Sequence, residues 1–402
     1  MPFTLEQLAA SPNALAAHYH RFRVGERLLL TGHSHQAWPD RALAGHQSAF
    51  DDAAELADLK WERAFERADR VREGFRRLLD DPQGLYALGS STHELVVRFL
   101  SALPLADRPR LVTTDGEYHS MRRQLGRLAE EGIEVERVPA LPAETVGERL
   151  AAATTERTAA VLTSTVFYRN AHVAGDLSPA ARACRRLGAA LLLDVYHQLN
   201  AVPYSLRRAG LGDAFVVGGG YKYCQLGEGN CFLRFPPDCA LRPVVTGWFA
   251  EFAALAAPGR DRRTTYAGGD DRFAGATYDP TSHYRAAEVF AFFAEHELSP
   301  ELLRRVSRHQ VGLLIETFDG LDLDPSVVTR DRSVEPSALG GFLALESPVA
   351  GSLHARLREA GVLTDYRGET LRFGPAPYLS DVQLRDAMGC LAEAAAAPAR
   401  PA

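Results

Sequence analysis

The sequence predicts an α/β protein with a mostly parallel sheet covered by helices on both faces, followed by a smaller α+β region. Three observations predict it. From about residue 84 to 235, short apolar runs alternate with amphipathic helical patterns, as in successive βαβ units. Beyond about residue 285 the pattern changes to longer helices with a few short strands between them. The chain has 402 residues, 46% apolar and 24% charged, enough for a large core and more than one domain.

In chain order, residues 45–80 are rich in helix formers at helical spacing. Strands are expected at 110–114, 134–139, 159–167, 190–195 and 214–217, and helices at 121–131, 143–155 and 178–187. Residues 240–284 carry many Gly, Arg and aromatic residues with weak periodicity, which reads as an excursion toward a site rather than core. Then follow helices at 284–295 and 300–318, a strand near 341–346, a helix at 353–360, a strand at 370–373 and a helix at 380–395. The Ala/Pro-rich tail, 394–402, reads as disordered. The expected division is an N-terminal arm (1–45) joining the small domain, a large domain (46–284) and a small C-terminal domain (285–402).

Composition removes several function classes. A net charge of −6 with scattered arginines gives no footprint for nucleic acid. No apolar run approaches the roughly 18–20 residues of a membrane helix. The start, Met1-Pro2-Phe3-Thr4, lacks a basic then apolar leader, and the five cysteines form no Cys-x-x-Cys or metal cluster; cytoplasmic location and no metal are expected.

The chain has only two lysines, Lys60 and Lys222, and meets its other needs for positive charge with arginine. Lys222 follows an apolar run and Gly218-Gly219-Gly220, where the backbone can approach something bulky. An amine with a lowered pKa can attack a carbonyl, whereas a guanidinium cannot. A strand-end lysine reaching for solvent is the plain alternative. Asp194 closes a buried strand, where a carboxylate needs a cation to face, although Asp is also a common turn or cap residue there. His197 follows three residues later. An Asp and a Lys at neighbouring strand ends form the pair a pyridoxal phosphate site needs: the amine bonds the cofactor, and the aspartate keeps its ring nitrogen protonated. The run Gly89-Ser90-Ser91-Thr92-His93-Glu94 before an apolar helical pattern would cradle a phosphate, or simply cap a helix.

Together, Asp194-Val195-Tyr196-His197, Val202-Pro203, Tyr221-Lys222-Tyr223 and Gly227-Glu228-Gly229 resemble the class V branch of fold-type-I pyridoxal phosphate enzymes, and within it kynureninase. Gly247-Trp248-Phe249, Asp365-Tyr366-Arg367, Arg372 and Pro375-Ala376-Pro377-Tyr378 are similar to further motifs of that family in order and spacing. The resemblance spans roughly residues 30 to 380. It implies a fold-type-I transferase fold: a three-layer αβα large domain and a smaller α+β domain, assembled as a homodimer with shared sites. It implies Lys222 as cofactor-bonded base and Asp194 as partner of the ring nitrogen. Ser91, Thr92 and the Tyr221 hydroxyl would hold the phosphate, with Tyr118, or else His119, stacked on the ring. Asn170 and His197 would lie beside the cofactor, Trp248 and Thr277 would come across the dimer, and Arg372 would clamp the substrate carboxylate. Tyr221 is also the candidate for acid–base work on the side chain.

Each role has a plainer counterpart: Tyr118 as a helix start, His197 as a core histidine, Trp248 as packing, Arg372 as a surface residue on an edge strand. The sequence departs from kynureninase at Gly32-His33-Ser34-His35-Gln36-Ala37-Trp38, where His33, His35 and Trp38 would alter what the pocket accepts, and at Glu228. The activity implied is hydrolysis of the Cβ–Cγ bond of L-kynurenine or a related amino acid to alanine and an aromatic acid, in tryptophan catabolism. The alternative is a class V aminotransferase or another lyase acting on a different amino acid. Cysteine desulfurase is disfavoured because it needs a nucleophilic cysteine on a mobile loop, and no cysteine lies between Cys239 and Cys390. A non-catalytic relative that keeps the fold is the rival from another class.

Overall fold

A computed structural model describes residues 3–254 and 264–396. After α1 (Leu5–Ala9) and β1 (Leu28–Leu29), two helices, α2 (Ala42–Leu56) and α3 (Lys60–Leu78), occupy the helix-rich stretch. Then β2 (Leu85–Gly89), α4 (Thr92–Ser101), β3 (Arg110–Thr114), α5 (His119–Glu130), β4 (Glu134–Val138) and α6 (Val146–Ala153) alternate. The alternation continues through β5 (Thr158–Ser164), α7 (Ser178–Leu187), β6 (Ala190–Asp194), β7 (Phe215–Gly219) and β8 (Cys231–Phe235).

These strands form one seven-stranded sheet in the order β2-β8-β7-β6-β5-β3-β4. From β4 across to β7 every pairing is parallel; β8 runs antiparallel to both β7 and β2. The reversal follows from chain length: residues 220–230 are too few for a crossover, and Gly227 and Gly229, at φ 68° and 84°, turn the chain back. Side chains alternate between two apolar layers. Leu191, Leu193 and Val216 enter one, and Leu192, Val217 and Leu233 the other, which is why the central strands read as unbroken apolar runs.

The second region holds α8 (Thr281–Glu295), α9 (Pro300–Gly320), β9 (Leu343–Glu346), α10 (Ala350–Glu359), β10 (Val362–Leu363), β11 (Asp365–Arg367), β12 (Thr370–Phe373) and α11 (Asp381–Ala396). β12 lies between β11 and β9 in an antiparallel sheet, and β1 pairs in parallel with β10. An isolated bridge, Thr31 to Gly374, continues the contact between the chain's first and last segments.

Several expectations change. Arg372 is not on an edge: β12 is the central strand of its sheet, and Leu371, Arg372 and Phe373 are all buried. Residues 240–284 are not wholly outside the core, since Phe273 packs between Phe215 and Phe235. The boundaries expected at 45/46 and 284/285 both fall inside helices, α2 and α8, which pack on each other. The tail reading fails for residues 394–396, which close α11; the remainder lies outside the described residues. No described helix is long and apolar enough to cross a membrane.

One buried ion pair ties the sheet edge down. Arg234 of β8 is 1% exposed and meets Asp81 in a fork, Nε to Oδ2 at 2.6 Å and Nη2 to Oδ1 at 3.0 Å. Its Nη1 donates to the carbonyls of Gly212 and Ala214, and the Tyr86 hydroxyl donates to Asp81. Asp81→Ala strands a buried guanidinium and is expected to cost about 3–5 kcal/mol, read as a lowered denaturation midpoint.

Candidate active site

The site begins at the end of β7. Three glycines precede Lys222 because side chains would collide there: a Cβ on Gly219 would lie 2.5 Å from the Tyr196 hydroxyl, and one on Gly220 2.5 Å from Leu226. Lys222 is 6% exposed. Its Nζ lies 2.7 Å from His197 Nε2 and faces the rings of Tyr196, Tyr118 and Tyr221, with centroids at 4.6, 5.4 and 5.8 Å. Burial lowers the amine to about 7, against the opposing charge of Asp194; the Arg372 charge lowers it further. Burial, then the Lys222 and Arg372 charges, holds His197 well below the usual histidine range, so this imidazole is neutral.

Asp194 ends β6 in register with Ser164 of β5 and Val217 of β7. Its Oδ1 accepts the Tyr196 N–H at 2.9 Å, while Oδ2 has no hydrogen-bond partner among the described residues. Burial raises its carboxyl. A second buried carboxyl stands close by. Glu117 accepts from the Thr114 hydroxyl at 2.6 Å and from the Ser164 hydroxyl and N–H at 2.6 and 3.0 Å, and burial lifts it to about 7. Glu117, between the ends of β3 and β5, lies where the strand order turns back, the usual place for a ligand on such a sheet, and Asp194 ends the next strand, β6.

From the small sheet comes Arg372. Its Nε and Nη2 donate to Asp365 Oδ1 and Oδ2 at 2.8 and 2.6 Å, and Nη1 donates to the Tyr168 carbonyl at 2.5 Å. His33 Nε2 lies 2.8 Å from the same Asp365 Oδ1. The Phe342 ring packs against His33, His197 and Arg372, which joins this group to the lysine.

The structure therefore brings together Lys222, Asp194, His197, Tyr118, Tyr221 and Arg372. Tyr118 sits at the N-cap position of α5 with its ring toward Lys222, whereas His119 packs on Tyr118 and Tyr168. Ser91 is the N-cap of α4, accepting from the Glu94 N–H; Glu94 in turn takes the Ser90 hydroxyl, and the Thr92 hydroxyl is free of partners among the described residues. His35 stacks on Tyr221 at 4.7 Å and lies 3.5 Å from Glu228.

Four predicted residues stand apart from Lys222, two of them, Trp248 and Thr277, expected to serve across a dimer. Trp38 packs under Arg285, which holds the carbonyls of Leu226 and Glu228; it shapes the 227–229 turn instead of facing Arg372. Asn170 bonds its own turn at His172. Trp248 is 45% exposed and donates to Thr277 at 3.3 Å, near a cavity of about 930 Å³ lined by Ser90, Glu228 and Thr277 that does not include Lys222. Sequence reasoning missed Glu117, Tyr196 and Phe342. Tyr196 had a signal, lying inside the Asp194–His197 motif; the other two had none.

No protein-family model matches the chain, and no match is found among curated proteins. Solved structures do match. A lysine-to-alanine mutant of C-DES with glycine covalently linked to its PLP cofactor aligns with TM-score 0.80 and 14% identity, over 94% of this chain and 98% of that one. The cystine C–S lyase C-DES with its product cysteine persulfide gives 0.77 and 14%, over 91% and 97%. The cysteine desulfurase CsdA from Escherichia coli gives 0.74 and 15%, over 98% and 99%. At these identities the likeness establishes the fold: a fold-type-I α/β architecture, as expected.

An amine lowered to about 7 reacts as the free base at and above that pH. Reductive alkylation with a small aldehyde, mapped by mass spectrometry, is expected to modify Lys222 with a rate that rises through about pH 7 and levels above it; a rate still rising steeply well above that pH would contradict the lowered amine.

Proposed function

We propose that the protein is a pyridoxal phosphate-dependent lyase that acts at the β-carbon of a small L-amino acid. The observation that carries this reading is the desolvated Lys222 amine near Asp194, with the Arg372 guanidinium of the small sheet close enough to lower it further. The residues present fit the cofactor. Asp194 has an oxygen to spare for a ring nitrogen, Tyr118 offers a face, and Thr92 with Ser91 and Tyr221 offers donors at the N-terminus of α4. When bound, pyridoxal phosphate supplies an electron sink for the pair released from Cα.

The chain's own groups supply the rest. Lys222 Nζ, close to neutrality, takes the Cα proton and hands it to the group that leaves the β-carbon with its bonding pair; His197, uncharged and 2.7 Å away, orients the amine without adding a competing charge. Burial keeps the Tyr221 phenol protonated, so it serves as an O–H donor. Arg372 receives the carboxylate of the substrate. We propose a homodimer, with Trp248 and Thr277 facing the partner's site; the exposure of Trp248, Phe252 and Val244 on one excursion supports it.

Solved neighbours support a lyase over the kynureninase-type hydrolysis that the motifs resemble, since one of them is described as a cystine C–S lyase. Transfer of sulfur to a protein thiol is disfavoured by the cysteines themselves. Cys184, Cys224, Cys231 and Cys239 are buried, Cys390 is half-buried on α11, and burial raises Cys184 and Cys231 to about 12. Kynureninase-type cleavage stays as the second reading on the Tyr221-Lys222-Tyr223 and Arg372 segments.

The test is an absorbance titration with pyridoxal phosphate, followed by L-cystine and L-kynurenine in parallel. A visible band from a lysine-bound cofactor is expected, absent in Lys222→Ala, with pyruvate released from cystine and a loss of about 10²–10⁴-fold or more in the variant. Anthranilate from kynurenine instead would move the assignment to the second reading. Absence of the band in the wild-type protein would overturn both.

A further inference from the structure

We propose that His33 is a positioning residue for the substrate carboxylate: through Asp365 it fixes the plane of Arg372, so that the N–H groups Arg372 leaves free meet one carboxylate. This rests on the reading above that Arg372 receives an amino acid.

Arg372 carries five N–H groups. Three are spent, Nε and one of Nη2 on Asp365 and one of Nη1 on the Tyr168 carbonyl. One N–H remains on each of Nη1 and Nη2, and a carboxylate accepts such a pair in parallel. The fork is useful only if the guanidinium cannot swing. Asp365 holds its edge, but an aspartate has two torsions of its own. His33 removes that freedom from behind, reaching the Oδ1 that also accepts Arg372 Nε.

Packing alone does not explain a histidine here. His33 is 0% exposed, and its Nδ1 has no hydrogen-bond partner. Stranding a ring nitrogen carries a desolvation cost that an apolar side chain would avoid. The backbone is shaped around it: Gly32 N–H donates to the Gly374 carbonyl at 2.7 Å, and a Cβ on Gly374 would lie 2.2 Å from Nδ1. What the histidine adds is the single Nε2–H to Asp365. Burial lowers His33 to about 4, so the imidazole gives a hydrogen bond without a charge that would compete for the carboxylate. Asp365 stays ionised: burial opposes this, but the bonds from His33 and Arg372 outweigh it. The other charged and titratable groups around the ring are Lys222, His197 and, beside Asp365, Arg367 at 3.4 Å.

The test compares His33→Leu with His33→Gln, whose amide N–H can stand in for Nε2–H. The protein carrying its cofactor is titrated with L-alanine and with L-alaninamide, which lacks the carboxylate, and the visible spectrum gives each Kd. His33→Leu is expected to weaken L-alanine about 10-fold or more while L-alaninamide changes less than about 3-fold, with KM for the substrate raised and kcat nearly unchanged; His33→Gln restores most of the loss. Equal weakening of both ligands, or no rescue by Gln, would overturn the proposal. A wild-type protein that takes the cofactor but binds L-alanine no better than its amide would overturn it too. A separate readout uses the cofactor-free protein and ¹⁵N imidazole NMR. His33 should stay in one neutral, Nε2-protonated form from about pH 6 to 8, and Asp365→Asn should shift that signal; a titrating His33 would overturn the arrangement whatever the enzyme turns over. Failure of the preceding reading would show differently, as a wild-type protein with no lysine-bound cofactor.

Discussion

A primary amine held out of water, with no carboxylate within 4 Å among the described residues, is the constraint on which the rest of the site depends. Among the described residues Lys222 has one direct polar partner, the neutral His197, and otherwise meets aromatic faces. A tight carboxylate partner would hold the proton on the amine; bare burial removes it. Tyrosine faces lie between these limits, stabilising the ammonium partly through the ring quadrupole. The three glycines and the short reversal from β7 to β8 follow from this, because they bring Tyr196 and Cys231 close beneath the lysine.

The two sheets contribute different chemistry. Strand ends of the large sheet place the titratable groups, with Glu117 and Ser164 at the turn-back of the strand order and Asp194 on the next strand. The small sheet places a fixed charge, the Arg372 guanidinium, beside Asp365, which is held well below the usual carboxylate range. Phe342 is the apolar spacer between them, touching one residue of each group that carries a proton or a charge.

Much of this was legible in the sequence. Strands at 110–114 and 370–373 and the helix at 178–187 begin and end where periodicity and flanking residues place them. The Asp194, His197 and Lys222 grouping could be read because each residue terminates, or closely follows, an unbroken apolar run, and parallel strands bring such ends together. What was not legible depends on partners distant in the chain. Glu117 beside Tyr118 reads as an ordinary loop acid, and only Ser164, on the neighbouring strand, makes it a buried one. Trp38 looked like a pocket residue because it follows the altered histidines, yet Arg285 from α8 claims its face. Arg372 read as a possible edge residue because nothing local announces that β9 and β11 flank it.

The pairing of β1 with β10, and of Thr31 with Gly374, joins segments more than three hundred residues apart in the chain. During synthesis the large sheet can form as soon as β8 has left the ribosome, because all seven of its strands precede residue 236. The hook at His33 must then wait for Asp365 and Arg372. A nascent or prematurely ended chain would already hold the β7 end with Lys222 while lacking Arg372, Asp365 and Phe342 opposite it. Completion of the carboxyl-terminal strands is thus the event that sets a fixed charge opposite a buried amine formed more than a hundred residues earlier in the chain.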